Sequence, residues 1–269
     1  MEIIDTHAHL DGPEFADDLD AVLQRARQAG VAHILVPATN WVDFPHLLSV
    51  CSEHASCLHP MMGLHPEEVD PTKIDLQDTL AQMEAWLSKN HERIIAIGEI
   101  GLDFYWDDTF KAQQIEVFIR QVGWALRYDL PLMIHMRKAQ PELVHALRNL
   151  SPREQAALRG VFHCFTGSPE QARELLQFPG FYFGIGGVLT FKKAKLPRTL
   201  AQNVPLSRIV IETDAPYLTP EPLRGRRNES AFTPLIADKL AETYSLPVEE
   251  IARATTQNAR ELFSPPDEK

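Results

Sequence analysis

The stretch Met1-Glu-Ile-Ile-Asp-Thr-His-Ala-His9 opens the chain and guides the interpretation of everything after it. The pattern is typical of a short apolar strand that leads directly into two histidines, His7 and His9. Because successive strand side chains point to opposite faces, a spacing of two residues places both imidazoles on the same side. Two neutral imidazoles that face one cavity can bind a divalent cation. Paired strand histidines are also common as half-buried residues with backbone partners, so the later strands decide between these interpretations.

Strand-like apolar segments alternate with amphipathic helical segments along the whole chain. Eight strands are predicted, at residues 3–6, 33–37, 58–64, 94–98, 132–135, 160–163, 181–185 and 209–212. Helices are predicted at residues 17–29, 42–54, 76–90, 109–128, 141–150, 169–177, 196–203, 233–244 and 248–262. Alternation of this kind predicts parallel strands joined by helical crossovers. Eight such units predict an α/β fold of the (β/α)8 TIM barrel type, with residues 1–269 forming a single barrel domain.

An open doubly wound sheet is the alternative fold for this pattern, and the first turn of the chain argues against it. The first strand is not followed by a Gly-x-Gly-x-x-Gly sequence, which disfavours the dinucleotide-binding version of that fold. In a barrel, the active site lies at the C-terminal ends of the strands. Polar residues at those ends are therefore the candidates for chemistry.

Composition narrows the class of protein. Of the 269 residues, 44% are apolar and 23% are charged, which is ordinary for a soluble globular enzyme. No apolar run approaches the ~20 residues of a membrane span and no signal-peptide pattern opens the chain, so a cytoplasmic protein is expected. The three cysteines form no close pair and suggest reduced thiols. A net charge of -11 argues against a general electrostatic attraction to nucleic acid and leaves local basic residues or metals to hold phosphates.

Nitrogen and carboxylate donors stand at the ends of most predicted strands. They are His7, His9, His65, Glu99, His135, His163 and Asp214. Burying so many of these groups together would be costly without a cation to bind. One catalytic zinc commonly takes about three protein ligands, so this set suits two metal ions. A carboxylate is the natural bridge between two cations, and Glu99, near the middle of the strand order, is predicted to be that bridge.

Longer motifs resemble those of the TatD family of metal-dependent hydrolases, and the resemblance runs from Ile4 to Phe263. The matching stretches are Asp5-Thr-His-Ala-His-Leu10, Gly63-Leu-His-Pro66, Gly98-Glu-Ile-Gly-Leu-Asp103, Ile134-His-Met-Arg137, Gly160-Val-Phe-His-Cys-Phe-Thr-Gly167, Glu212-Thr-Asp-Ala-Pro-Tyr-Leu218, Arg224-Gly-Arg-Arg-Asn228 and Asn258-Ala-Arg-Glu-Leu-Phe263. The resemblance implies phosphodiester hydrolysis by a barrel enzyme with two metal ions.

The resemblance also implies how the donors are divided. One metal is held by His7, His9 and Asp214. A second is held by His135 and His163, and Glu99 is shared between the two.

Asp214 is predicted to be catalytic together with Glu99. Asp214, as a carboxylate that binds one metal, can also accept a proton from the attacking water. Glu99, as the bridge, would contribute by holding both cations. The alternative for Asp214 is a role as ligand alone. Glu212 lies two residues earlier on the same face, where it either orients a ligating histidine or pairs with another group inside the barrel.

Substrate contact is predicted for polar residues on the same face of the barrel. They are His65, Asp103, Arg137, Arg227 and Asn228. A basic set in the loops after strands five, seven and eight is expected to meet an anionic substrate, although a solvated surface is the alternative. This set is Arg137, Lys192, Lys193, Lys195, Arg198, Arg224, Arg226 and Arg227. The adjacent aromatics at 104–106 either stack a base or cover the metal site.

The predicted function is a TatD-type deoxyribonuclease that removes nucleotides from an end of single-stranded DNA with two divalent ions. Histidines suit Zn²⁺, whereas carboxylates and phosphate chemistry suit Mg²⁺ or Mn²⁺. The alternative is a deacylase acting on an ester or amide, such as aminoacyl-tRNA. A metal-stabilised binding protein is disfavoured because structural sites are normally closed sets of four ligands. Neither a membrane nor an obligatory protein partner is predicted.

Overall fold

Residues 2–264 are described by a computed structural model in which eight parallel strands follow one another around a barrel. Each strand pairs with the next strand along the chain, from β1 to β8. The strands are β1 Ile3–Asp5, β2 Val31–Pro37, β3 Leu58–Met62, β4 Ala96–Asp103, β5 Leu132–Arg137, β6 Gly160–Phe162, β7 Phe181–Ile185 and β8 Ile209–Ile211.

Helices lie between consecutive strands and follow the last one. They are α1 Leu19–Gln28, α2 Phe44–Glu53, α3 Leu76–Asn90, α4 Lys111–Tyr128, α5 Gln140–Arg148, α6 Pro152–Ala157, α7 Pro169–Leu175, α8 Leu196–Asn203, α9 Thr233–Tyr244 and α10 Val248–Phe263. The short α6 was not predicted. It begins with a capping box in which Ser151 and Glu154 satisfy each other's backbone N–H groups. Within residues 2–264, no helix is long and apolar enough to cross a membrane.

The ends of the sheet meet where β8 lies beside β1. The Thr6 N–H donates to the Ile211 carbonyl over 3.0 Å, and a parallel bridge joins Ala8 to Ala215. This contact brings the first and last strands together and confirms the predicted (β/α)8 barrel over an open sheet.

The apolar core has two layers, one inside the barrel and one outside it. The inner layer takes one side chain from most strands and is sealed below by the end of α10. Its buried members are Ile4, Leu35, Met61, Ala96, Met133, Val161, Val210, Ala259, Leu262 and Phe263. The larger outer layer packs strands against helices. Because the inner layer fills the barrel, polar side chains gather above it at the C-terminal mouth.

Two strands extend further towards the C-terminal mouth than predicted. β4 continues to Asp103 and β5 continues to Arg137. Because Gly98 interrupts the apolar pattern of β4, the prediction ended the strand there. In the structure, the pairing of β4 with β5 shifts register in this region and then resumes. Glu99 therefore lies inside β4 and not after it, and His135 lies inside β5 and not at its last position.

Candidate metal centre

Asp5 joins the two strands that carry the first donors. Its Oδ1 accepts hydrogen bonds from the backbone N–H groups of His7 (3.3 Å) and Thr213 (2.9 Å), and its Oδ2 accepts one from the Thr213 hydroxyl (2.6 Å). Burial raises the pKa of Asp5 to about 6, although these hydrogen bonds oppose the shift. The Asp214 N–H donates to the His7 carbonyl over 2.9 Å. These bonds fix His7 beside Asp214, a role for Asp5 that the sequence analysis missed.

Four donor atoms converge beside these strands: the Nε2 atoms of His7 and His9, Glu99 Oε2 and Asp214 Oδ1. The two nitrogens are 3.2 Å apart. Glu99 Oε2 lies 3.2 Å from His7 Nε2 and 3.6 Å from His9 Nε2. Asp214 Oδ1 lies 3.7 and 3.6 Å from the same two nitrogens. Ligands arranged tetrahedrally at about 2.1 Å from a zinc ion would be about 3.4 Å apart, so the spacing of these atoms fits a divalent cation.

The other oxygen of Glu99 faces a second group of donors. Oε1 lies 2.8 Å from His135 Nδ1, 3.5 Å from His65 Nε2 and 3.9 Å from His163 Nε2. The carboxylate thus stands between two sets of donors, in the position that a bridging ligand would need. His65 was predicted to contact substrate, yet its nitrogen is grouped with Glu99 and His135 as a potential metal ligand.

A carboxylate lies beside the second ring nitrogen of both His135 and His163. Asp103 Oδ2 is 3.0 Å from His135 Nε2, and Glu212 Oε1 is 3.1 Å from His163 Nδ1. Metal-binding histidines commonly donate their other ring N–H to a carboxylate, which fixes the orientation of the ring. Of the two roles left open for Glu212, this contact favours orientation of His163. Asp103, predicted to contact substrate, instead lies behind His135.

Gly184 of β7 makes room for the Glu212 carboxylate. A Cβ atom at Gly184 would lie 2.0 Å from Glu212 Oε2, a distance that no side chain tolerates. The Glu212 side chain is fully buried, and its Oε1 accepts a hydrogen bond from the Cys164 N–H over 2.6 Å. β7 therefore controls the position of the acid behind His163.

The ionisable groups of this site perturb one another strongly. Burial disfavours the charged form of His135, but two carboxylate neighbours outweigh it and raise the pKa to about 9. Burial also opposes charge on His163, and nearby carboxylates, Glu212 first, raise its pKa to about 10. In spite of burial, the surrounding histidines hold the pKa of Glu99 well below its usual range. Without metal these two histidines are protonated at neutral pH, so a cation that binds them must displace protons.

The sequence pattern of the family described as TatD related DNase matches residues 4–264 of the chain. The chain belongs to the TatD-related DNase family. A Bacillus subtilis relative, named an uncharacterized metal-dependent hydrolase YabD, is 38% identical over 97% of this chain and 98% of its own length. The Erwinia amylovora protein named 3'-5' ssDNA/RNA exonuclease TatD is 32% identical over 97% of this chain and 99% of its own length.

The solved structure of Escherichia coli YjjV, described as a TatD homolog, has the same fold as this TatD-family chain. It superposes with a TM-score of 0.88 and 34% sequence identity, and the match covers 98% of both chains. The family, together with the donor groups described above, makes the chain a metal-dependent hydrolase.

Two residues predicted to bind substrate in this TatD-family chain have structural partners instead. Asn228 is fully buried, and its amide donates to the carbonyls of Thr213 (2.8 Å) and Tyr217 (2.6 Å), which braces the loop after β8. Both terminal nitrogens of Arg227 donate to the Asp18 carboxylate, each over 2.8 Å. Neither side chain is among the described residues that line the cavity over the metal donors. Sequence motifs did not reveal these contacts, because a motif does not show which group a side chain hydrogen-bonds in the folded protein.

A cavity of about 1270 Å³ opens above the donors. Among the described residues, Arg137 is the only arginine or lysine that lines it, so the other members of the predicted basic set lie elsewhere. The rest of the cavity lining is strongly acidic, with carboxylates from the β1–α1 loop and the start of α1, from α2 and its N-cap, and from the loop after β3. These are Asp11, Glu14, Asp17, Asp18, Asp20, Asp43, Glu53, Glu67 and Glu68. This acidic lining was not predicted, because the loop between β1 and α1 carried no motif.

Proposed function

We propose that the chain hydrolyses phosphodiester bonds of single-stranded DNA, beginning at a strand end, with two divalent ions bound at the mouth of the barrel. The observation that carries this proposal is the position of Glu99. One of its oxygens faces His7 and His9, and the other faces His135 at 2.8 Å. A carboxylate shared in this way suits a pair of cations, which is the arrangement used to stabilise both oxygens of an in-line displacement.

The proposed division of the donors between the ions follows the family resemblance, and His163 lies between the two sets, with its Nε2 3.6 Å from Asp214 Oδ1 and 3.9 Å from Glu99 Oε1. The first ion would take His7, His9 and Asp214, and the second would take His135 and His163, with Glu99 bound to both. His65 Nε2 is close enough to Glu99 Oε1 to supplement the second set. Bound cations would lower the pKa of a water molecule and offset the charge of the phosphate oxygens.

Asp214 is the proposed general base. Its Oδ1 lies within 3.7 Å of three histidine nitrogens, and 15% of its side chain is exposed to the cavity side of the barrel. The neighbouring histidines lower its pKa although burial opposes this, so the carboxylate is ionised at neutral pH and can accept a proton. Asp103 and Glu212 would keep the rings of His135 and His163 oriented during the reaction.

Single-stranded DNA is proposed as the substrate on two grounds. The Erwinia amylovora relative is named as an exonuclease of single-stranded DNA and RNA. In addition, Arg137 lies two residues after His135 on β5, on the same strand face, where a cation could meet a phosphate next to the scissile bond.

The acidic side of the cavity favours one alternative, a deacylase that acts on an aminoacyl ester or amide. The same pair of ions could activate water against a carbonyl, and carboxylates would accept the ammonium group of an aminoacyl substrate. The two candidates differ in the charge that the substrate brings into the cavity.

A screen of metals against substrates tests the proposal. The purified protein, stripped of metal and reloaded with Mg²⁺, Mn²⁺ or Zn²⁺, would be assayed on single-stranded DNA, duplex DNA, RNA and an aminoacyl ester. We expect hydrolysis of single-stranded DNA that chelation abolishes, with mononucleotides as the first products. Rapid hydrolysis of the aminoacyl ester with none of DNA would favour the deacylase.

A further inference from the structure

Exposed aromatic side chains surround the mouth of the barrel. Among residues 2–264, the large hydrophobic side chains that are exposed are Val42 (82%), Tyr105 (46%), Trp106 (73%) and Tyr217 (57%). Three of these four lie at the mouth, since Trp106 and Tyr217 line the cavity and Tyr105 packs edge-on against Trp106 with 4.7 Å between ring centres. A protein that leaves rings in water beside its active site commonly uses them to bind a ligand.

The loop after β4 holds the Tyr105 and Trp106 rings in place. The Tyr105 N–H donates to Asp103 Oδ1 over 2.8 Å, and the Phe104 N–H donates to the Arg137 carbonyl over 3.0 Å. Phe104 itself packs against the core and is only partly exposed. Of the three aromatics at 104–106, Phe104 therefore anchors the loop against the core, and the rings of Tyr105 and Trp106 are exposed.

Arg137 contacts both rings and lies on the same strand as His135 of the candidate metal centre. Its guanidinium carbon lies 3.7 Å from the centre of the Tyr105 ring and 5.3 Å from the centre of the Trp106 ring. On β5 it is two residues beyond His135 and pairs in register with Asp103 of β4. A positive charge and two aromatic rings thus stand at one corner of the mouth, next to a predicted metal ligand. Nucleobases stack on aromatic rings, and phosphates pair with arginine, so this corner combines both contacts that a nucleotide needs.

The opposite side of the mouth has the reverse charge. In an eight-stranded barrel, the loops after β1 and β2 lie across from those after β5 and β6. The β1–α1 loop, the start of α1, and α2 bring most of the acidic lining to that side. Arg227 pairs with Asp18 there, but the remaining carboxylates outnumber it. A phosphate backbone would be repelled there and attracted at the Arg137 corner.

We infer that Tyr105 and Trp106 form a stacking platform for an unpaired base adjacent to the scissile phosphate, and that the strand reaches the metals across this corner. The inference rests on the proposed hydrolysis of single-stranded DNA and adds the path of the strand. Base stacking positions the DNA strand, and Arg137 binds one of its phosphates. The acidic side repels the phosphate backbone, so the DNA strand does not continue in that direction. Duplex DNA is excluded because a paired base cannot stack on the platform.

The test compares Tyr105→Ala/Trp106→Ala with Tyr105→Phe/Trp106→Phe and wild type. On a single-stranded oligonucleotide, the alanine variant should raise KM by about ten-fold or more, since stacking contributes strongly to binding of unpaired bases. The phenylalanine variant should retain most of the affinity. For bis(p-nitrophenyl) phosphate, whose two aryl rings would also stack on the platform, the comparison uses kcat, which should be the same in all three because the metal donors are untouched. Val42→Ala, another exposed apolar side chain, should leave both reactions unchanged.

Substrates with one abasic nucleotide identify the stacked base. The abasic nucleotide would be placed at successive positions from the end of the oligonucleotide. At one of these positions, wild type and the alanine variant should have the same KM. If the alanine variant cleaves intact single-stranded DNA with unchanged KM, the platform is wrong. Equal losses on the small diester and on DNA would overturn it too, because that result means damage to the metal centre.

A binding measurement separates this inference from the proposed function. An oligonucleotide carrying 2-aminopurine would be titrated into the Asp214→Asn protein, with and without the Tyr105→Ala/Trp106→Ala change, and fluorescence quenching by stacking would be recorded. Quenching that requires the two rings supports the platform even if the wild-type protein cleaves no DNA, an outcome that would refute the proposed function alone. Binding without any quenching would overturn the platform, whichever substrate the enzyme hydrolyses.

Discussion

Histidines are buried at both ends of the barrel, and their surroundings shift their pKa values in opposite directions. At the mouth, His135 and His163 lie against carboxylates, and their pKa values are raised to about 9 and about 10. Near the N-terminal ends of β2 and β3, His59 Nε2 lies 2.9 Å from His33 Nδ1, and burial together with the charge of His33 lowers the pKa of His59 to about 4.

The comparison shows that burial alone does not set the pKa of a histidine, and that the groups beside the ring decide the direction of the shift. Both pairs are removed from water. At the mouth, an acid lies beside one ring nitrogen of His135 and of His163, whereas at the other end Nε2 of His59 faces the ring of another histidine. An imidazole placed between carboxylates holds a positive charge in the free protein, and a cation can take the place of that charge. In the His33–His59 contact, the N–H of one imidazole donates to the facing nitrogen of the other, which is a structural hydrogen bond.

The largest expected effect comes from removing the bridge at the mouth. Glu99→Ala should lower kcat by about 1,000-fold or more and reduce bound metal, because both cations lose a shared ligand and face each other without it. Steady-state kinetics and elemental analysis of the same preparations would measure this. His59→Ala, at the other end, should keep both metals and most activity. Near-wild-type turnover by Glu99→Ala would refute the shared bridge.

Removing a single proposed ligand at the mouth should weaken the binding of one ion more than that of the other. His9→Ala should lose the first metal, since its Nε2 lies 3.2 Å from His7 Nε2 and 3.6 Å from Asp214 Oδ1, while the ion near His135 stays bound. The measurement is metal content per chain after dialysis, with His135→Ala as the mirror variant. Retention of both ions at full occupancy in His9→Ala would exclude His9 as a ligand.

Glu212→Gln tests whether the acid behind His163 acts through the histidine. Activity should fall by about 10- to 100-fold, as expected when the partner of a ligating histidine is lost. The amide has nearly the same volume as the acid, so the fold beside Gly184 should persist. If Glu212 only fills space, metal affinity and the pH profile of kcat/KM will match wild type, and the orienting role fails.

The smallest effect is expected at the base of the barrel, on stability and not on catalysis. The pKa of His59 is about 4 in the folded protein and ordinarily about 6.5 when unfolded, so the unfolded chain binds the extra proton between these values. Stability is therefore lost as pH falls from about 6.5 towards 4, by up to about 3 kcal/mol. His59→Gln should remove this loss.

Urea unfolding of the chelated proteins at several pH values would measure the difference between wild type and His59→Gln. The subtraction cancels groups common to both, including Asp5, whose raised pKa acts in the opposite direction over the same range. The raised pKa of His135 predicts a separate loss of stability as pH rises through about 9. Parallel curves for the two proteins below pH 6.5 would contradict the assignment for His59.

The barrel and the donor residues could be predicted from the sequence because both follow from local patterns. Alternating apolar segments give the strands, and parallel strands bring their C-terminal ends to one face. Those two rules were enough to gather His7, Glu99, His135 and Asp214 before any contact was known, and the structure places all four at the mouth.

The partners of these donors could not be predicted in the same way. Which carboxylate lies behind His135, or which backbone groups Asp5 holds, depends on the register between strands, and the register of β4 is irregular. Arg227 and Asn228 show the same limit, since their motif marks a position in the loop after β8 but does not reveal that Asp18 and the Thr213 carbonyl are within reach.

The hydrogen bonds between Asp5 and Thr213 join residues 208 positions apart in the chain. During synthesis on the ribosome, the histidines of the first strand emerge near the beginning and Asp214 emerges only after most of the protein has been made. Until then the growing chain lacks the acid of the proposed first metal-binding group, and the early histidines lack the strand that positions them. Hydrolytic capacity therefore arises late in translation, and a chain truncated before β8 would carry most of the donors without an active centre.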